Sequence, residues 1–138
     1  MAYLLDTNVV SELRKITPNL HVLAWRQSQR HAEAYISTLV VGEIRQGIER
    51  VRPRDPVQAD ALERWLVGLV PAYRDRILPV TVAIAEEWGR LNALPRPLPV
   101  VDGLMAATAK VHGLTFVTRN VSDVARAGVK LLNPFEAP

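Results

Sequence analysis

Tyr3-Leu4-Leu5-Asp6-Thr7-Asn8-Val9-Val10-Ser11-Glu12-Leu13 opens on a short apolar run that ends abruptly in an acid with two small polar neighbours. A run this short and this apolar predicts a strand buried on both faces, as in a parallel sheet. Asp6 then stands at the strand's carboxyl end, where open α/β sheets place ligands and chemistry. Thr7 and Asn8 open the following helix, and their side chains can hold backbone amides or the acid itself. By itself the stretch supports two readings of Asp6, a functional carboxylate or an N-cap, and the other acids must decide between them.

Glu33 to Ser37 predicts a second strand with Tyr35 and Ile36 at its centre, and Ser37 or Thr38 can cap the helix after it. From Leu39 the period becomes helical. Val40, Ile44, Gly47, Ile48 and Val51 fall at offsets 0, 4, 7, 8 and 11, and Glu43 at offset 3 shares their face. An acid thus occupies a position where packing favours an apolar residue. A capping box does not explain it, because the residue three earlier is Val40. Arg45 and Arg50 lie on another face or two turns away, so a buried ion pair would need a partner from elsewhere in the fold.

The same alternation continues along the chain. Asn19 to Arg30 is a helix with a blurred stripe, and Arg50 to Pro56 is a basic connector whose alternatives are a phosphate contact or solvation. Leu62, Trp65, Leu66, Leu69 and Val70 form an amphipathic helix expected to stop at Pro71. Ile77 to Val80 is extended, and Thr81 caps a helix carrying Ile84, Trp88 and Leu91. Pro95, Pro97 and Pro99 make a loop. Val101-Asp102-Gly103-Leu104-Met105-Ala106-Ala107-Thr108-Ala109 comes next, with Asp102, Met105, Ala106 and Ala109 aligned as an acid heading a small-residue stripe. Asp102 also has a reading as an N-cap. Leu114 to Val117 is a strand whose exit, Thr118-Arg119-Asn120-Val121-Ser122-Asp123, is polar, and Val129 to Leu132 is a last edge strand. Strands alternating with helices predict an α/β domain, residues 1–138 as one unit, with a mainly parallel sheet between two helical layers.

Composition narrows the chemistry. The absence of cysteine excludes disulfides, thiolate zinc and a cysteine nucleophile, and suits a reducing cytoplasm. No apolar run is long enough for a bilayer, and a strand beginning by Tyr3 leaves no room for a basic leader, so a soluble, cytoplasmic protein is expected. Of the 17 basic residues 14 are arginines, which is compatible with phosphate recognition. His21, His31 and His112 show no pairing suggestive of a site.

Asp6 and Asn120 or Asp123 sit at strand ends, while Glu43 and Asp102 sit near the starts of helices, so one sheet edge can collect them all. Carboxylates about 5 Å apart repel by roughly 3 kcal/mol per pair at an effective dielectric near 20. Such a cluster takes up protons or binds a cation, and an oxygen-only donor set selects Mg²⁺ or Mn²⁺ over zinc.

At these residues the chain resembles the PIN-domain ribonucleases, and within them the VapC-type toxins of toxin-antitoxin pairs. Leu4-Leu5-Asp6-Thr7-Asn8 looks like the first family motif, Val41-Gly42-Glu43-Ile44 with Gly47 like the second, and Asp102-Gly103-Leu104-Met105-Ala106-Ala107 like the third. Thr118-Arg119-Asn120 with Asn133-Pro134-Phe135 is similar to the final motif of the FitB-like branch. The resemblance implies a PIN-like three-layer sandwich and a metal-dependent endoribonuclease in which Asp6, Glu43 and Asp102 hold Mg²⁺ or Mn²⁺. It implies that Thr7 and Asn120 position acids or water. The chain departs from the family at Asn120, where a fourth acid is common, and Asp123 is the alternative. Implied partners are an RNA substrate, a second copy of the chain, and an antitoxin whose carboxyl-terminal segment covers the groove; Trp25 or Trp65 can anchor either protein interface. Two rivals stand beside this reading. A phosphoaspartate protein would want a second acid where Asn8 stands, and a partner-binding module of the same fold would use the acidic groove without cutting.

Overall fold

The computed structural model describes residues 1–137. Five strands form one sheet in the order β3-β2-β1-β4-β5, and every neighbouring pair is parallel. They are β1 (Ala2–Leu5), β2 (Glu33–Ser37), β3 (Ile77–Leu78), β4 (Thr115–Val117) and β5 (Leu131–Leu132). The first strand is therefore central. Its Leu4 and Leu5 are fully buried, as a strand covered on both faces requires. The chain leaves β1 toward β2 on one side and reaches β4 on the other, so the sheet reverses its order at β1. A crevice beyond the carboxyl ends of β1 and β4 is the physical consequence.

The helices among the described residues are α1 (Thr7–Leu13), α2 (Leu20–Ser28), α3 (Thr38–Val51), α4 (Pro56–Tyr73), α5 (Val82–Asn92), α6 (Val100–His112) and α7 (Val121–Val124). Side chains cap many of them, Ser37 and Thr81 as the sequence predicts. Asn19 accepts from His21 and Val22 N–H, Ser37 from Leu39 N–H, and Thr81 from Ile84 N–H. Gly113, at φ +66°, ends α6 in the left-handed conformation that favours glycine.

Two features differ from expectation. Pro71 does not stop α4, which runs on to Tyr73. A proline removes only its own N–H bond, and here the carbonyl left behind belongs to the exposed Val67 in the last turns of the helix, where water can serve it. The last strand is also shorter than predicted, spanning Leu131–Leu132 with Val129 and Lys130 outside it.

The core has two parts. The larger wraps β1, β2 and β4 with residues of α1, α3 and α4, together with Met105 and Ala109. The smaller joins Ile84, Leu91 and Leu98 to Ala106, Ala107 and Ala127. The small residues of α6 thus serve two neighbours, with Met105 and Ala109 against the sheet and Ala106 and Ala107 against α5. Trp65 and Trp25 are partly buried against the larger core, and Trp25 meets Tyr3 edge-on at 5.2 Å between ring centroids. On the outside, Arg45 and Arg52 of the α3 end pair with Glu49, Asp60 and Glu63 and tie α3 to α4. No helix among the described residues is long and apolar enough to cross a membrane.

Candidate active site

Asp6 follows β1 directly, and its N–H continues the ladder by donating to Val117 C=O at 2.9 Å. That bond brings the exit of β1 against the exit of β4. Asp6 is only 4% exposed, and both of its oxygens are held. Oδ1 accepts from Thr7 N–H at 2.7 Å; Oδ2 accepts from the Thr118 hydroxyl at 2.6 Å and from Asn8 Nδ2 at 3.5 Å. The two readings of Asp6 prove compatible, because one oxygen caps α1 while the carboxylate remains at the sheet edge.

Glu43 comes from the first half of α3 and is half-buried beside the buried Val40, Ile44 and Ile48. Its Oε1 accepts from the Thr7 hydroxyl at 2.5 Å, so an alcohol, not an arginine, answers this acid. Asp102 is the third residue of α6 and does not cap it; Pro99 holds the N-cap position without a side-chain bond. The N-cap alternative for Asp102 is therefore corrected. Its helix begins two residues earlier because Pro99 fixes the backbone entry, which puts the acid one step inside the first turn.

Asp6, Thr7, Glu43, Asp102 and Asn120 all line one open cavity of about 320 Å³. Asp123 does not line it, although its charge reaches Asp102. Asn8 completes the floor, and Gln46, Gly47 and Arg50 form the α3 wall. His21, His31 and His112 are all exposed and lie away from it. Burial pushes the Asp102 carboxyl up to about 6, with the charges of Asp6, Asp123 and Glu43 adding to the shift. Burial also raises Asp6, opposed by the bonds from Thr118 and Thr7 N–H, and the Glu43 charge raises it further. Three acids from β1, α3 and α6 therefore act on one another across the cavity. In one respect the arrangement differs from a tight cluster, since among the described residues no three Asp, Glu or His side chains stand as a ready-made metal cage. Glu43 rests on Thr7 at the wall instead.

A family model described as the PIN domain matches residues 3–128. The chain belongs to the PIN-domain family. Among relatives of this PIN-domain chain, the plasmid stability protein StbB of Pseudomonas syringae pv. tomato is 36% identical, covering 97% of this chain and 99% of that one. A VapC ribonuclease of Sinorhizobium fredii is 35% identical over 96% of each. The toxin FitB of Neisseria gonorrhoeae is 33% identical over 96% of this chain and 97% of its own. The crystal structure of FitAcB from Neisseria gonorrhoeae superposes with a TM-score of 0.88 at 32% identity, covering 99% of this chain and all of the other. The PIN-like three-layer fold read from the four motifs is borne out by this match.

Sequence reasoning passed over Thr118 as a site residue of this PIN domain. It is fully buried at the β4 exit, donates to Asp6 and accepts from Asn120 N–H at 3.0 Å. A polar residue closing a buried strand was the available signal. Thr118→Val is expected to cost about 1–3 kcal/mol, the penalty for leaving a buried acceptor short of a partner, and to raise the Asp6 carboxyl further. Chemical denaturation read across pH checks both.

Gly103, beside Asp102, is packed against Trp88. A Cβ built there stands 3.2 and 3.3 Å from Trp88 Cδ1 and Nε1, and 3.5 Å from Leu98 Cβ. Gly103→Ala is expected to destabilise the fold by about 1 kcal/mol, crowding outweighing the better helix propensity of alanine. The measurement is a denaturant midpoint, and a gain in stability would show that Trp88 yields freely.

Proposed function

We propose that this chain is a metal-dependent endoribonuclease, the toxin of a toxin-antitoxin pair, hydrolysing RNA phosphodiester bonds at the cavity lined by Asp6, Glu43 and Asp102. The observation that carries it is the convergence of three acids from separate elements on one open cavity at the sheet's switch point. The names of the VapC ribonuclease and toxin FitB relatives agree with it. Residues 1–138 act as one cytoplasmic domain, which pairs with a second copy and is silenced by a cognate antitoxin, as the family resemblance implies.

The donor set fits a hard divalent cation, because the cavity offers carboxylate and amide oxygens and no sulfur or imidazole. Asp6, Glu43 and Asp102 would hold Mg²⁺, with Mn²⁺ a substitute, and the ion when bound supplies Lewis-acid stabilisation of phosphate charge. The protein's part is preorganisation. Thr118, Thr7 N–H and Asn8 lock the Asp6 carboxylate in one rotamer, and the Thr7 hydroxyl fixes Glu43. Asn120 lines the cavity beside them and, being uncharged, positions water or substrate without adding to the repulsion. Asp123 acts on Asp102 through its charge and takes the fourth acid's electrostatic role from outside the cavity.

The test is cleavage of end-labelled RNA by purified protein freed of any antitoxin, in Mg²⁺, in Mn²⁺ and in EDTA. Cuts are expected with either ion and none with EDTA. Metal binding without any cleavage across transfer, ribosomal and messenger RNA would favour the partner-binding reading.

A further inference from the structure

Arg45 and Arg50 of α3 and Arg52 at its C-cap have different surroundings. Arg45 pairs with Glu49 and Glu63, and Arg52 with Glu49, Asp60 and Glu63, so both are taken up in joining α3 to α4. Arg50 makes no ion pair among the described residues and instead lines the acid cavity.

Arg50 also stands in register with Glu43. Glu43, Gln46, Gly47 and Arg50 fall at offsets 0, 3, 4 and 7 along α3, one stripe of a helix, and all four line the cavity. The stripe passes from acid to amide to bare backbone to guanidinium. Packing does not account for the glycine in it, because a Cβ at Gly47 would meet nothing within 4 Å and φ is not positive there. A glycine in the middle of a helix is unfavourable compared with alanine, so its gain lies in the space it leaves beside the acids.

We propose that Gln46, Gly47 and Arg50 seat the RNA strand beside the acids, with the Arg50 guanidinium taking a phosphate next to the scissile one and Gly47 leaving clearance for the backbone between them. This rests on the ribonuclease reading above. A guanidinium offers bidentate contact to a phosphate, and Arg50 stands two helical turns beyond Glu43 along α3, about 10 Å at 1.5 Å rise per residue, so its backbone is set apart from that of the acid on its own helix.

The experiment measures anisotropy of a fluorescein-labelled, mixed-sequence single-stranded RNA with protein carrying Asp6→Asn to prevent cutting, across a salt series, alone and combined with Arg50→Ala, Arg50→Lys or Gly47→Leu. Arg50→Ala is expected to weaken binding about tenfold and to lower the steepness of the log–log salt dependence by about 0.7, the share of one phosphate contact on a single strand. Arg50→Lys keeps the slope, and Gly47→Leu weakens binding while thermal melts show the fold intact. Unchanged affinity and slope in Arg50→Ala, with the Asp6→Asn protein binding RNA and the unsubstituted chain cutting it, overturns this inference alone. A parent that neither binds nor cuts RNA overturns the ribonuclease reading and this inference with it.

Discussion

Asp6→Asn is expected to lower metal-dependent RNA cleavage by more than about 100-fold while leaving the fold in place. Losing an outer-shell partner of a metal ligand costs about 10–100-fold, and Asp6 is proposed as a ligand itself. The asparagine is nearly isosteric and retains one carbonyl oxygen for the Thr7 N–H or the Thr118 hydroxyl, but its amide cannot accept the other bond. Part of the effect is therefore expected in stability, at about 1 kcal/mol, and melts must accompany the kinetics. A variant that cuts at the parental rate under purified conditions would remove Asp6 from the centre and point to contamination or to another set of acids.

The second large effect concerns charge crowding at Asp102. Its folded carboxyl lies near 6, above an ordinary value of 3.8, so between these pH values the folded state binds more protons than the unfolded one. Stability then falls as pH rises from about 4 through about 6, and the whole penalty is present at neutral pH. Asp102 is partly exposed, so after solvent screening the penalty is about 1–2 kcal/mol. In chelator at pH 7, Asp102→Asn is expected to melt several degrees above the parent, and its advantage should shrink at pH 4. Mg²⁺ should reverse the order, because binding at 100 times the dissociation constant stabilises the parent by about 2.7 kcal/mol and the variant binds poorly. Thermal melts at the two pH values, with and without Mg²⁺, decide it; an equal or lower midpoint for the variant in chelator would mean that the acids do not strain the free protein.

Much of the architecture was legible because it obeys local rules. Leu4 and Leu5 had no polar alternate, so β1 had to be covered on both faces; Ser37 and Thr81 cap helices that begin where they predict. Where the reading of the chain erred, a local rule met a context it does not contain. Pro71 is a helix breaker in an interior and is tolerated near an exposed helix end. Asp102 looked like a cap because Pro99 precedes it, yet the proline itself supplies the helix entry.

From sequence alone came the alternation of elements, the buried first strand, the four motifs with Asp6, Glu43, Asp102 and Asn120 in them, and an oxygen-only donor set. Periodicity and residue chemistry carry the alternation, the buried strand and the donor set, since each depends on neighbours a few positions away, while the four motifs were legible through the family resemblance. The strand order, the contact of the β1 and β4 exits, the seat of Glu43 on Thr7, the lock of Thr118 on Asp6 and the separation of Arg50 from Arg45 and Arg52 were decided only by tertiary structure. These link residues up to 112 positions apart, and no local spacing encodes which distant partner a hydroxyl or a guanidinium will meet.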